Sequence, residues 1–155
     1  MSADAPIVVF DGVCHICNHW VDFILRRDRS GRLRLASMQS PAGEWLIERC
    51  GYQAATLPTL LLIEDGVYYS NTDAIFRVLR HLGGGWRLAD GLRVIPRRLR
   101  DYAYLAIARN RYRLFGRRSS CRLPSAAERE RFVQDLSDLG PLLNRTREGF
   151  KRAGT

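Results

Sequence analysis

The sequence predicts an α/β fold, with strands and helices in the order βαβ-α-ββα and an additional helical segment on the C-terminal side. Short apolar runs rich in β-branched residues alternate with stretches in which apolar residues recur every three or four positions. Glycine, proline and aspartate residues separate these runs where elements are expected to end. Hydrophobic residues make up 46% of the 155 residues, which is enough for the core of one domain.

The first strand and the first helix meet at an Asp-Gly turn. The run IVVF, Ile7 to Phe10, is apolar and β-branched, so it predicts a buried strand that ends before Asp11 and Gly12. Apolar residues then recur at helical spacing from position 13 onward. We therefore expect an amphipathic helix that begins at Cys14.

A second strand and a second helix follow. The segment from Arg32 to Ser37 alternates between apolar and polar residues, which predicts a strand. The segment from Pro41 to Gly51 has proline near its start and glycine at its end, which is typical of a short helix.

A β-hairpin and a third helix complete the predicted core. Between Leu57 and Asn71, an apolar run is followed by a turn around Asp65 and a short β-rich return, which indicates a hairpin. The next helix is expected to have Asn71 or Thr72 as its N-cap and a run of glycines after its last turn.

The C-terminal part is predicted to be mainly helical. Apolar residues recur at helical spacing between Ile95 and Gly116, and a short helix is expected near Ser125, because Glu128 three residues later has the spacing of a capping box. The tail is expected to be polar and frayed. We divide the chain into a core at 1–86, an arginine-rich helical extension packed on it at 87–143, and a polar tail at 144–155.

Charge and hydropathy limit the classes of partner. The net charge of +9 comes mainly from arginines, which are concentrated between Arg93 and Arg122. Such a surface can attract nucleic acid, anionic lipid or an acidic protein. We expect no nucleic-acid partner, because no aromatic stacking motif or groove-reading signature is present. No run of eighteen apolar residues and no export signal is found, so we expect a cytoplasmic protein without stable membrane insertion.

Cys14 and Cys17 form a C-x-x-C pair at the predicted start of the first helix. Such a pair can be a redox couple, half of a metal site, or part of the packing. At the helix start, the sulfur of Cys14 would meet unpaired N–H groups and the positive end of the helix dipole, which favour the thiolate. We assign Cys14 as the nucleophile and Cys17, one turn further on the apolar stripe and expected to be more buried, as the resolving thiol.

Asp11 and His15 flank these cysteines. The carboxylate of Asp11 could accept N–H groups of its own turn or relay protons to and from the thiols, and we slightly favour the structural role. His15 could stabilise a thiolate if it is protonated, or it could point into water.

The order of elements, with C-x-x-C at the junction of the first strand and first helix, is the layout of a thioredoxin-like domain. In that fold a cis proline before the third strand lies beside the dithiol and presents backbone to the substrate. The segment Leu57, Pro58, Thr59 resembles this element. Pro58 could also be an ordinary trans proline at the start of a strand.

The motif FDGVCHIC, together with LFGRRSSCRLP downstream, resembles the DCC family of predicted thiol-disulfide oxidoreductases. The resemblance runs from Ile7 to about Phe132. It implies a thioredoxin-like domain with a helical C-terminal segment, and a redox activity that acts on a disulfide-bearing protein or a small-thiol substrate. No cofactor is expected. The family's motif residues fall on Asp11, Cys14 and Cys17, and its later cysteine falls on Cys121.

The two remaining cysteines lie outside the C-x-x-C pair. Basic neighbours would favour a thiolate at Cys121, which could serve as a third redox thiol or could simply be packed. Cys50, at a helix end, is expected to be a buried small hydrophobe.

Two rival functions remain open. The first is a zinc site, although the sequence has no second C-x-x-C. The second is a thioredoxin-fold binding module without redox turnover, which a buried and unreactive Cys14 would favour. The ligands available to complete a zinc site with Cys14 and Cys17 would be Cys50, Cys121, His15, His19 and His81.

Overall fold

The computed structural model describes residues 5–53, 60–140, 142–145 and 149–153. Its core elements are β1 (Ile7–Phe10), α1 (His15–Arg27), β2 (Arg34–Ser37), α2 (Pro41–Arg49), β3 (Leu60–Glu64), β4 (Val67–Ser70) and α3 (Asn71–Leu82). The elements that follow are a 3₁₀ segment (Gly84–Val94), α4 (Arg97–Phe115), two short 3₁₀ turns (Arg129–Arg131 and Leu136–Leu139), α5 (Leu142–Arg145) and β5 (Lys151–Arg152).

The described strands form one mixed sheet in the order β2-β1-β3-β4-β5. Strands β1 and β2 are parallel, β3 is antiparallel to both β1 and β4, and β5 is parallel to β4. Helix α1 joins the parallel strands β1 and β2, and a tight turn joins the antiparallel strands β3 and β4. The predicted mixed α/β class is confirmed, and the architecture is consistent with a thioredoxin-like fold.

Strand β1 lies at the centre of the core and is buried on both faces. Ile7 and Val9 pack on the α2 side, whereas Val8 and Phe10 pack on the side of α1 and α3. Alternate side chains of a strand point to opposite faces, and a strand that is covered on both faces is apolar throughout. This burial explains the uninterrupted run IVVF.

The structure differs from the sequence prediction at two helix starts. Ser70, rather than Asn71 or Thr72, is the N-cap of α3. No α-helix begins at Ser125, although its backbone N–H does donate to Glu128 at 2.9 Å. The chain forms only a 3₁₀ turn there because it must reach the sheet edge, where the Val133 N–H donates to a β2 carbonyl at 2.8 Å.

The described part of the C-terminal tail is anchored, not frayed as expected. The side chain of Phe150 is buried and packs edge-on against Trp45, with 6.4 Å between ring centroids. The next two residues form β5 beside β4. One aromatic residue in a polar stretch provides the apolar contact that orders it.

Helix α4 lies against α1 and α3. Ala108 is its buried residue, and Arg97 forms an ion pair with Asp73 of α3 at 3.1 Å. Among the described helices, none combines the length and the apolarity that crossing a bilayer requires.

Replacing Gly43 by alanine should destabilise the fold, because helix α2 approaches β2 too closely for a side chain there. A Cβ on Gly43 would lie 1.9 Å from the carbonyl oxygen of Ser37, which is backbone and cannot move aside cheaply. We expect Gly43→Ala to lower the free energy of unfolding by about 2–3 kcal/mol in urea titrations. Gly91→Ala is the matched control, since no atom lies near a Cβ at that position, and its effect should stay within about 0.5 kcal/mol.

Candidate active site

The turn between β1 and α1 presents both cysteines of the C-x-x-C motif. Cys14 is the N-cap of α1 with extended backbone, and its side chain forms no capping hydrogen bond. The buried Asn18 side chain holds the turn instead, because its amide donates to the carbonyls of Gly12 at 2.9 Å and Cys14 at 2.8 Å. Cys17 follows one turn later on the buried face of the helix.

The two thiols have opposite pKa shifts. A hydrogen bond from the Cys17 thiol is the largest influence on Cys14 and lowers its pKa to about 7, against the opposing effect of burial. The same hydrogen bond, together with burial, raises the pKa of Cys17. At neutral pH a thiolate on Cys14 is therefore paired with a protonated Cys17, which is the order that a nucleophile and a resolving thiol require.

Cys14 is buried, whereas the sequence predicted an accessible sulfur here and a more buried Cys17. Their exposed fractions are 0% and 6%. The cause is a segment after α4, residues 116–122, which we call the covering segment. Within it, the backbone N–H of Arg118 donates to the Val13 carbonyl at 2.7 Å, and that of Arg122 donates to the Gly12 carbonyl at 3.1 Å.

The Asp11 carboxylate is fully buried and accepts hydrogen bonds from three parts of the chain. The Val13 N–H of its own turn donates to Oδ1 at 3.1 Å, as expected for a turn-capping aspartate. The Gln39 amide donates to the same oxygen at 2.8 Å. From α4, the Arg111 guanidinium donates to Oδ2 at 3.1 Å, and the Tyr112 hydroxyl donates to it through a short hydrogen bond.

These donors determine the charge of Asp11. Burial alone would raise its pKa, but the hydrogen bonds from Tyr112, Gln39, the Val13 N–H and Arg111 together hold that pKa below its ordinary value. Asp11 is therefore an ionised, satisfied carboxylate at neutral pH. As a nearby negative charge it raises the pKa of Cys14, whereas Arg111 lowers it.

Sequence reasoning missed four polar residues of this site: Asn18, Gln39, Arg111 and Tyr112. Asn18 carried a weak signal, because a buried amide on the apolar side of a helix calls for a local partner. The other three lie far from the motif along the chain, and Arg111 is one of many arginines. Nothing in their local pattern distinguishes them.

Cys121 lies against the motif turn. Its sulfur is 3.0 Å from the Ser37 hydroxyl and 3.8 Å from the Gln39 side-chain oxygen. A Cβ on Gly12 would come within 2.4 Å of this sulfur, so glycine is needed at position 12 for Cys121 to approach. His15 is exposed, and its ring lies beside Gly116 of the covering segment.

Two further predictions concern cysteine and metal chemistry. Cys50 is buried in the core, and burial raises the pKa of its thiol to about 12, as expected for a packed cysteine. Within residues 5–53, 60–140, 142–145 and 149–153, no three His, Cys, Asp or Glu residues are grouped so that they could hold a metal ion. The predicted substrate-binding segment, Leu57, Pro58 and Thr59, lies outside the described residues.

A family model for DCC1-like thiol-disulfide oxidoreductases matches residues 8–117, which include the motif turn and α4. The chain belongs to this family. The matched region ends inside the covering segment, so helix α4 with Arg111 and Tyr112 lies within it. Membership of the DCC1-like family supports a redox role for the chain.

Two curated proteins are similar in sequence to this chain. The uncharacterized protein YuxK of Bacillus subtilis is 39% identical over 127 residues, which cover 82% of this chain and 93% of the relative. A chloroplastic DCC family protein of Arabidopsis thaliana, At1g52590, is 35% identical over 119 residues, covering 76% of this chain and 69% of the relative. No solved structure gave a significant match.

Asp11→Asn should destabilise this DCC family protein in a pH-dependent way. At pH 7 the asparagine side chain leaves the Arg111 guanidinium without its charge partner, and its NH2 group faces hydrogen-bond donors instead of acceptors. We therefore expect a loss of about 2–4 kcal/mol in the free energy of unfolding. The pKa of Asp11 is lower in the folded state than in the unfolded state. The ionised carboxylate therefore stabilises the fold fully above the unfolded pKa of about 3.9, and this stabilisation is lost as the pH falls through the pKa of the folded state. The difference between variant and wild type should therefore narrow below about pH 4.

Denaturant titrations from pH 7 to pH 2.5 measure this effect. Asp65→Asn, at an exposed turn position, is the matched control and should show neither the large loss nor the narrowing. An Asp11→Asn penalty that stays constant across this range would contradict an ionised Asp11.

Proposed function

We propose that the chain is a thiol-disulfide oxidoreductase that cycles Cys14 and Cys17 between dithiol and disulfide. The observation that carries the proposal is the position of the two thiols at the start of α1, Cys14 at the N-cap and Cys17 one turn later, where the pKa of Cys14 is lowered to about 7 and that of Cys17 is raised. At neutral pH this leaves a large fraction of Cys14 as thiolate, and a thiol whose pKa is near the ambient pH is well suited to attack disulfides.

The proposed reaction has two exchange steps. The Cys14 thiolate attacks a substrate disulfide; a bond forms between Cys14 and one substrate sulfur, and the other sulfur leaves as a thiolate. Cys17 then transfers its proton to the departing thiolate and attacks the Cys14 sulfur, which releases the second substrate sulfur as a thiolate that takes a proton from solvent. The substrate gains two electrons and two protons, and the protein holds a Cys14–Cys17 disulfide.

In this proposal Asp11 shapes the motif and tunes its thiols. Its hydrogen bonds fix the turn that carries Cys14, and its charge raises the pKa of Cys14, an effect that Arg111 offsets in part. The buried carboxylate has its oxygens occupied by donors, which supports the structural role more than a proton relay.

Attack at Cys14 requires the covering segment to open. Backbone hydrogen bonds hold that segment to the motif turn, and an ion pair from Arg122 to Asp22 holds it to helix α1. Arg122 also pairs with Glu128, further along the same stretch of chain, at 3.0 Å. These groups are partly exposed, so their ion pairs contribute modestly and can exchange with water. We propose that a disulfide-bearing protein or a small thiol compound gains access when this segment is displaced.

The remaining site residues enter as proposals with narrower roles. Leu57, Pro58 and Thr59 present backbone to the substrate. Cys121, beside the motif turn, is an auxiliary thiol, and exposed His15 is an auxiliary group at the start of α1.

A binding module without redox turnover is the second candidate. The complete burial of Cys14 favours it, because a sulfur that stays covered cannot attack a substrate. Thiol reactivity distinguishes the two functions.

The reactivity of Cys14 tests the proposal directly. In the reduced, metal-free wild-type chain, the rate of iodoacetamide alkylation at Cys14 should rise with pH around a midpoint of about 7. Cys17→Ala removes the hydrogen-bond donor, so the midpoint should move up towards or beyond the ordinary cysteine value of about 8.5. Cys17→Ser keeps a hydroxyl donor and should shift the midpoint less.

Cys14→Ser should abolish the fast reaction, and Cys121→Ser should leave the midpoint unchanged. Mild oxidation should give a Cys14–Cys17 disulfide by mass spectrometry. Slow alkylation with an unshifted midpoint, and no such disulfide, would favour the binding module.

A further inference from the structure

An apolar pocket of about 450 Å³ opens beside the dithiol, between helices α1, α3 and α4. Cys17 forms part of its wall, and this cysteine retains 6% of its surface exposed whereas Cys14 has none. The pocket is thus in contact with the motif through Cys17. The residues that line it include Ile16, Trp20, Phe23, Tyr104, Ile107 and Ala108.

The walls of this pocket select for apolar groups. Its charged or titratable lining residues beside Cys17 are His19, Tyr104 and Arg111, and Arg111 is already paired with Asp11. A charged or strongly hydrated group that entered the pocket would lose its hydrogen bonds to water without gaining enough hydrogen-bond partners in return. An aromatic or branched apolar group has no such hydrogen bonds to lose. A pocket of this size accommodates one or more large side chains.

The rim of the pocket is partly exposed in the part of the chain that the structure describes. Ile107 of α4 is 52% exposed and Ile16 of α1 is 37% exposed, so two branched apolar side chains meet water at the rim next to the motif. When a ligand removes apolar surface at a concave site from water, the free energy of the complex is lowered.

We propose that this pocket binds an aromatic or branched side chain that flanks the disulfide cysteine of a protein substrate. The inference rests on the proposed oxidoreductase function and names its substrate class. Binding of the flanking side chain beside Cys17 brings the substrate disulfide next to the Cys14 sulfur, to which Cys17 is hydrogen-bonded. The exchange steps and their electron balance are those given above.

Helix α4 supplies Tyr104, Ile107, Ala108 and Arg111 to the pocket wall. The specificity of the reaction is therefore determined by the extension rather than by the thioredoxin-like core alone. This location provides variants that change the pocket without touching the cysteines.

Two peptide disulfides test the preference at constant sulfur chemistry. The symmetric disulfides of N-acetyl-Cys-Phe-amide and N-acetyl-Cys-Ser-amide have similar leaving thiols and differ in the flanking side chain. In a single turnover of the reduced full-length chain, we expect the second-order rate constant of disulfide exchange to be about tenfold higher for the phenylalanine peptide, since an apolar pocket commonly discriminates by this factor or more.

Three variants on α4 test whether the pocket causes the preference for the phenylalanine peptide. Ile107→Gln makes the rim polar at a half-exposed position that tolerates the change, and Ala108→Leu fills the pocket from a buried position. Both should reduce the preference to below about threefold, chiefly by slowing the reaction of the phenylalanine peptide. Ala106→Leu is the matched control, because Ala106 is exposed on the same helix and outside the lining, and it should keep the full preference.

The possible failures are distinguishable. Equal second-order rate constants for the two peptides, or a preference that survives both Ile107→Gln and Ala108→Leu, would overturn the pocket inference and leave the oxidoreductase function intact. Reaction with neither peptide would overturn both.

Discussion

The buried carboxylate of Asp11 is the constraint on which the rest of the site depends. A charge with no exposed surface is tolerated only when donors replace its water. Here the donors come from its own turn, from Gln39 after β2, and from Arg111 and Tyr112 on α4. Satisfying one carboxylate therefore joins the motif turn, the β2–α2 connection and the C-terminal extension at one point.

That junction makes the extension part of the candidate site. Arg111 pairs with Asp11 and also lowers the pKa of Cys14, while Asp11 raises it, so the net charge next to the thiols remains nearly balanced. The thiolate is then stabilised chiefly by the Cys17 hydrogen bond, which is short-range and depends on the geometry of one helical turn. Beyond α4, residues 116–122 cover the motif, so access and reactivity are controlled by the same part of the chain.

Local patterns were sufficient to predict much of the fold. The apolar run at Ile7–Phe10 reflects a strand buried on both faces, and the hairpin at Asp65 and Gly66 follows from residues that adopt positive φ. Predictions were wrong where distant contacts overrode local preference. The chain near Ser125 forms no α-helix, because it continues to the edge of the sheet. Phe150 anchors a tail that its polar composition predicted to be frayed.

The sequence alone determined the order of elements and the position of both cysteines at the start of α1, and it favoured a turn-capping role for Asp11, because each depends on residues a few positions apart. Only the tertiary structure decided that Cys14 is covered and that Asp11 is ionised by partners on α4. Arg111 is 100 residues from Asp11 along the chain, and no local periodicity encodes such a contact. The pocket beside Cys17 has the same origin, since three helices must first pack before their side chains enclose a common space.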